Sequence, residues 1–304
     1  MVDLDDFRQE ARAWLAANRV DAPSRNYGAI VPPELVDEAR AWQRRIFDAG
    51  FAGIQWPEEV GGRGLSPAHA GAWVEACARH DVPPLLNMVG HVLTAGALLA
   101  HGTPEQQAEH LPATATGELV WCQLFSEPGA GSDLASLATR AEPDERTGGW
   151  RLTGQKVWCS NGRVADRGIC LARTDPDTAP GGGPNPNAKK HAGISYFLVD
   201  MDAPGVDIRP LRQLTGGSEF DEVFLDGLAV GPGDLLGPLH GGWAVAMSTL
   251  TNERGHIGSA AISLQRDGRR ADVPALVRER RHRDGPPAVE RAEQPRRTDA
   301  DVVE

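Results

Sequence analysis

The sequence predicts an α+β chain of several domains, with helices over residues 1–118, a β-domain over about 119–236, and a long helix from about 242 to 265. Three observations carry this. As far as Glu118, apolar residues recur at helical spacing. Beyond it they fall in short, partly alternating runs between turns, as in strands. From Trp243 the helical period returns: Trp243, Met247, Leu250, Arg254, Ile257, Ala261 and Leu264 form one stripe, suited to packing on another helix or subunit.

The first helix shows Leu4, Phe7, Ala11, Trp14 and Leu15 on one face. Leu35, Ala39, Trp42 and Ile46 mark the second, and Gly50 is placed to end it. Residues 51–64, FAGIQWPEEVGGRG, form a loop rich in breakers. Ser66 and Pro67 open the next helix as cap and first residue. Leu85 to Ala100 is apolar on nearly all sides and predicts a buried helix. Thr103-Pro104-Glu105-Gln106 is a capping box that starts another. In the β-domain the apolar runs include Trp150, Leu152, Val157, Ile169, Leu171, Ile194, Tyr196, Leu198, Val223 and Leu225. Thr174 to His191 is a Pro/Gly/Asn-rich loop, and Lys189-Lys190-His191 predicts a solvated hairpin tip.

Composition narrows the function classes. A length of 304 residues and a hydrophobic content of 40% suffice for a sizeable core. A net charge of −11 argues against a nucleic-acid binder, which needs a basic face. Cys77, Cys122, Cys159 and Cys170 have no metal-like spacing and read as reduced, buried thiols of a cytoplasmic protein; no metal site is predicted. The acidic, amphipathic start MVDLDDFRQE is no signal peptide, and no apolar run of about 18 residues predicts a membrane span.

The functional signal lies in two stretches. In WCQLFSEPGAGSD, residues 121–133, an apolar strand stops at Ser126-Glu127 and runs into the turn Pro128-Gly129-Ala130-Gly131. Ser132 and Asp133 follow, and either could cap a local helical turn. Bare backbone N–H groups and hydroxyls at a strand end suit a polar, planar or phosphorylated ligand. The spacing alone fits an ordinary strand–turn unit equally well. About 30 residues on, GQKVWCSNGR covers residues 154–163. Together the two stretches resemble the acyl-CoA dehydrogenase family. Ser126 to Asp133 is similar to its T/S-E-P-x-A-G-S-D turn, and Trp158-Cys159-Ser160-Asn161-Gly162 to its W-I-T/S-N-G strand, with Cys159 in place of isoleucine. The loop at 51–64 is also of a family form, and the resemblance runs from near residue 1 to about residue 265.

The resemblance implies a β-barrel-like middle domain, with residues 237–265 as the first helix of a C-terminal helical domain that is incomplete here. Residues 266–304 have no aromatic residue, many arginines and four prolines. They read as an aberrant, Arg-rich tail, with a weakly helical segment near Val273 to Arg283 as the alternative. The implied cofactor is FAD and the implied substrate an acyl-CoA. The implied reaction removes the α-proton to a carboxylate and passes the β-hydride to the flavin, with an electron-transfer flavoprotein or similar acceptor downstream and a homo- or hetero-oligomeric assembly.

By motif position, Ser126 and Ser160 would place hydroxyls at the flavin edge and Trp158 would stack beside the ring. Gln123, Leu124, Phe125 and Cys159 would give backbone and packing contacts. Gly131 would admit close backbone approach, and Ser132 would meet the thioester end of the ligand. Leu250-Thr251-Asn252-Glu253-Arg254 is similar to the L-x-x-E-R segment of the minority of members whose base lies on this helix. That makes Glu253 the candidate base and Arg254 a candidate substrate contact; a surface glutamate paired with a neighbouring arginine is the alternative. Two other readings stand beside the dehydrogenase: a non-catalytic or partner-dependent subunit, and a flavin monooxygenase or nitroalkane-oxidase type of enzyme. An incomplete C-terminal domain would leave the stripe from Met247 to Leu264 facing solvent and predicts poor solubility and little activity.

Overall fold

The computed structural model describes residues 2–28, 30–178, 189–214 and 216–253. The expected remainder of the long helix, the tail after it and the middle of the Pro/Gly loop lie outside them.

The N-terminal part is helical because its apolar stripes meet. α1 (Leu4–Asn18) starts at Asp3, whose carboxylate accepts from the N–H groups of Asp5 and Asp6, and it buries Phe7, Ala11 and Leu15. α2 (Val36–Asp48) buries Ala39, Trp42 and Ile46, and Gly50 follows it with a left-handed φ of 76°. α3 (Pro67–His80) begins at Ser66 as expected. The Ser66 hydroxyl is spent on His69 Nδ1, 2.8 Å away, rather than on a backbone N–H. Phe51 stacks on Trp73 at 4.5 Å, with Trp14 against both.

The segment expected as one helix over Leu85–Ala100 is different in kind. Helix begins only at Met88, after Pro83-Pro84, and Val89–Thr94 is wound as a π-helix before α4 (Ala95–His101) resumes the ordinary pitch. The late start has a local cause. The Asn87 side-chain carbonyl takes the N–H of Gly90 at 2.6 Å and that of Trp121 at 3.2 Å, which caps the helix and ties it to the first strand. α5 (Pro104–Thr116) opens on the expected capping box: Thr103 Oγ1 accepts from Gln106 N, and Gln106 Oε1 accepts from Thr103 N.

Then the chain becomes a seven-stranded mixed sheet, curled as a half-barrel. Its strands are β1 (Trp121–Leu124), β2 (Arg140–Asp144), β3 (Gly149–Ser160), β4 (Arg167–Arg173), β5 (Ile194–Asp200), β6 (Val206–Leu211) and β7 (Phe220–Val230). β1 runs parallel to β4, and β4–β5, β2–β3, β3–β7 and β6–β7 are antiparallel. Alternate residues point to opposite faces. Trp121, Ile169, Leu171, Tyr196 and Leu198 join the core shared with the helices. Cys122, Leu124, Cys170, Phe197 and Val199 fill a second core on the other face. Both faces of β4 and β5 are covered, which is why these strands read as continuous apolar runs.

A last helix, α6, covers residues 242–253 of the described chain. Its start is pressed onto β5: a Cβ at Gly242 would lie 2.4 Å from the Ser195 carbonyl carbon. Val245 and Ala246 are buried, and Trp243, Met247 and Leu250 pack half-buried on the helical core. The expectation of a solvent-facing stripe is therefore wrong for the described part, because the stripe finds its partners within this chain.

Candidate active site

The two motif stretches become neighbours through one backbone bond. β1 ends at Leu124; Phe125 stays buried with its ring edge-on to Tyr196 at 5.7 Å, and the Ser126 carbonyl accepts the N–H of Val157 at 2.9 Å. Next, Glu127 and Ala130 exchange two backbone hydrogen bonds of 3.0 Å, which closes a tight loop around Pro128-Gly129. The two strand ends, Ser126 and Trp158-Cys159-Ser160, thus lie side by side.

What holds this loop is an ion pair that the sequence did not disclose. Lys156 is fully buried and Glu127 is 8% exposed. Lys156 Nζ donates to Glu127 Oε1 at 2.8 Å, to the Leu171 carbonyl at 2.8 Å and to the Phe125 carbonyl at 3.3 Å, so its three protons all have acceptors. Glu127 also accepts the N–H of Ala138 at 2.6 Å and of Thr139 at 3.0 Å. Burial alone would raise the Glu127 pKa; the ammonium and these N–H donors outweigh it and hold the carboxyl below its ordinary value. Arg173 carries the far side of the loop, donating to the carbonyls of Ala135 at 2.9 Å and Leu137 at 3.3 Å.

β3 reaches the site through a register shift against β7 between Lys156 and Cys159. A bulge turns side chains to new directions. Here it puts Trp158 at φ 60° and leaves it 59% exposed, the one exposed tryptophan among the described residues. Its ring meets the edge of Phe220 at 5.9 Å. Cys159 points the other way and is fully buried in the second core. Asn161, also left-handed at φ 66°, donates to the Val31 carbonyl at 2.9 Å and accepts from Asn87 Nδ2 at 3.1 Å. Through Asn87 both motif strands are tied to the start of the π-helical segment.

The other predicted residues lie as follows. Gln123 is half-buried, and Leu124 is buried in the second core. Ser126 and Ser160 are half-buried, and among the described residues neither hydroxyl has a hydrogen-bond partner. Gly131 and Ser132 are exposed at the loop. Asp133 precedes a short 3-10 turn, Leu134–Ser136, but caps no N–H there: its carboxylate takes the Ser136 hydroxyl at 2.6 Å. It also pairs with Lys190 at 2.5 Å, and His191 lies 5.8 Å from Trp243; Lys189, Lys190 and His191 are all exposed, as expected of a solvated tip.

Glu253 is half-buried at the described end of α6; Arg254 lies outside the described residues. α6 is coupled to the loop by Tyr196, whose hydroxyl stands 3.4 Å from Thr249 Oγ1 and whose ring meets Phe125. Thr251 and Asn252, just before Glu253, wall a cavity of about 480 Å³ that runs into the helical part. Among the described residues no group of three or more His, Cys, Asp or Glu could hold a metal ion, and no helix is long and apolar enough to cross a membrane.

Comparison with known proteins bears on the whole arrangement. The family model for the acyl-CoA dehydrogenase N-terminal domain matches residues 3–118, and that for the acyl-CoA dehydrogenase middle domain matches residues 122–227. The chain is 42% identical over 294 residues to acyl-CoA dehydrogenase IpdE1 of Mycobacterium tuberculosis, covering 92% of this chain and 73% of that protein. It is 50% identical over 222 residues to acyl-CoA dehydrogenase FadE34 of the same organism, covering 72% of this chain but 29% of that one. Among solved structures it is similar to the Tcur3481–Tcur3483 steroid ACAD (TM-score 0.68, 28% identity, 92% of this chain and 67% of that one). The ChsE4–ChsE5 complex from Mycobacterium tuberculosis is also similar (TM-score 0.66, 27% identity, 82% and 59%). The chain thus spans between 29% and 73% of the length of these relatives. With its helical part, its half-barrel and both motif strands in family order, this chain belongs to the acyl-CoA dehydrogenase family.

Proposed function

We propose that the protein is an FAD-dependent dehydrogenase of an acyl-CoA thioester, with residues 1–118 as its helical domain, 119–236 as its flavin and thioester domain and 237–265 opening a further helical domain. The observation that carries this is the pairing of Ser126 with Val157, which sets two unpartnered hydroxyls and an exposed indole side by side on adjacent strand ends. Such a surface fits the polar edge and flat face of a flavin: Ser126 and Ser160 donate to the edge, Trp158 covers the face, and the backbone of Gln123 to Phe125 lines the approach. Gly131 and Ser132 at the loop suit the thioester end of the substrate.

The α-proton of a thioester is weakly acidic, so its removal needs a carboxylate held near it and a polarised carbonyl. Glu253 is assigned as that carboxylate. FAD, when bound, supplies the acceptor for the β-hydride. The electrons would then pass to an electron-transfer flavoprotein or a similar acceptor, and a soluble, cytoplasmic setting suits such an exchange. The relatives named for two-component assemblies support a second reading, in which this chain binds flavin and turns over only beside a second chain. Named steroid relatives support an acyl group derived from a polycyclic carbon skeleton.

The test is the flavin spectrum of the purified protein, followed by anaerobic dye reduction with straight, branched and polycyclic acyl-CoAs. Bound flavin reduced by at least one of these supports the reading; flavin retained only with a partner chain supports the second. Protein that binds no flavin under either condition would sink both. Ser126→Ala and Ser160→Ala should each weaken flavin binding about fivefold, from roughly 1 kcal/mol per lost hydrogen bond. Equilibrium dialysis reads this directly. If both variants keep the original affinity and reduction potential, the strand-end assignment is wrong.

A further inference from the structure

One side chain of the helical part reaches both motif strands. Asn87 is fully buried, just before the helix that begins at Met88. Its oxygen accepts the N–H of Gly90 at 2.6 Å and that of Trp121 at 3.2 Å, and its nitrogen donates to Asn161 Oδ1 at 3.1 Å. Asn161, 4% exposed, donates in turn to the Val31 carbonyl at 2.9 Å. The backbone at the two ends fixes the direction of this relay. The N–H groups only donate, so the Asn87 oxygen faces them and its nitrogen faces Asn161; the Val31 carbonyl only accepts, so the Asn161 nitrogen faces it. Each position needs a donor and an acceptor on one planar head, which an amide supplies and a carboxylate does not.

What the relay holds is an unusual piece of backbone. Trp158 and Asn161 are both left-handed, at φ 60° and 66°, with Cys159 and Ser160 between them. Left-handed residues other than glycine cost free energy and persist where the surrounding structure determines them. The register shift against β7 accompanies the first; the Asn87 amide and the Val31 carbonyl hold the second. Asn87 also fixes the N–H of Trp121, the first residue of β1, whose far end leads into Ser126. The relay uses neither the Ser126 nor the Ser160 hydroxyl.

We propose that Asn87 is a positioning residue for the flavin, acting through Asn161: it fixes the backbone from Trp158 to Ser160, so that indole and hydroxyl are set together before the cofactor arrives. The proposal rests on the FAD reading of the strand ends. Fully buried, Asn87 acts only through what it holds. A surface ordered in advance binds more tightly, because the cost of ordering it is not taken from binding. A hydrogen bond to the ring edge favours the electron-rich reduced ring, so a displaced Ser160 also lowers the reduction potential.

Asn161→Gly cuts the relay and leaves the backbone able to stay left-handed, which glycine does without strain. It should weaken flavin binding about tenfold, more than loss of the Ser160 hydroxyl alone, and make the reduction potential more negative. Asn87→Leu should do the same, and the double variant no more than either, because both break one chain of bonds. Gln106→Leu is the control for a general loss of stability. Its buried amide makes the same kind of link, to the carbonyls of Gly233 and Leu235 past the opposite end of β7, and its removal should leave flavin affinity and potential unchanged. In the flavin-free protein labelled with 5-fluorotryptophan, the fluorine NMR resonance of Trp158, assigned with Trp158→Phe, should move in Asn161→Gly and Asn87→Leu and stay in place in Gln106→Leu. Full flavin affinity in Asn161→Gly, losses that add in the double variant, an equal loss in Gln106→Leu, or an unmoved Trp158 resonance would each overturn the proposal. If the unmodified protein binds no flavin, the dehydrogenase reading falls and the Trp158 resonance alone decides this one. Asn161→Gly and its resonance do not depend on Asn87→Leu folding.

Discussion

Lys156→Met should destabilise the protein by about 3–5 kcal/mol, the cost of leaving one partner of a buried ion pair uncompensated. Methionine fills much the same space, so the loss is electrostatic rather than a cavity. Three acceptors lose their donor at once: Glu127, the Phe125 carbonyl and the Leu171 carbonyl. Urea unfolding at neutral pH measures it, and a deficit below about 1 kcal/mol would mean that the pair is not worth what its burial suggests. The double variant Lys156→Met/Glu127→Gln should recover a large part, because no charge is stranded and the amide oxygen can still accept from Ala138 and Thr139.

The pH dependence has a definite sign. The Glu127 carboxyl is held below its ordinary 4.5 in the folded protein. Its contribution is therefore present above that ordinary value and is lost as pH falls through the lowered folded one. In Lys156→Met burial is no longer outweighed, and the carboxyl takes up a proton at higher pH than before. The deficit should accordingly be largest near pH 7 and shrink below about pH 4. A deficit that does not change with pH would show that the charge on Glu127 is not its cause.

The second large effect is on turnover. Glu253→Gln should lower kcat by about 10²–10⁴-fold with flavin content unchanged, since glutamine keeps the shape and cannot take the α-proton. Single-turnover flavin bleaching with a reactive acyl-CoA isolates that step from acceptor chemistry. Turnover that survives the substitution removes Glu253 as the base. Loss of flavin along with turnover would instead mark it as a structural residue.

Local chemistry made a good part of this protein legible in its sequence. The Thr103–Gln106 box, Ser66-Pro67 and Gly50 act within one helical turn, so their effect can be read where they stand. The change from helical to alternating period near Glu118 follows from which faces must be apolar. The two motifs each occupy one short stretch, and their side-by-side placement was implied by resemblance before it was visible as the Ser126–Val157 bond.

Tertiary structure decided the rest. Lys156 and Glu127 are 29 residues apart, and Asn87 and Asn161 are 74 apart. Nothing in a lysine between Gln155 and Val157 says that its ammonium will be buried; that depends on Leu171 arriving from β4 and Glu127 from the loop after β1. Its motif places Trp158 beside the flavin ring, but that the indole is turned outward depends on a register slip against β7. The π-helical segment is invisible to periodicity, because its apolar residues suit the ordinary pitch equally well. His91 is buried with Nδ1 on the Asn87 carbonyl and no partner for Nε2 among the described residues, which no reading of its neighbours in the chain would show. Charge pairing and lone-pair satisfaction depend on what surrounds a group in space, and a chain read in order does not contain that until it has folded.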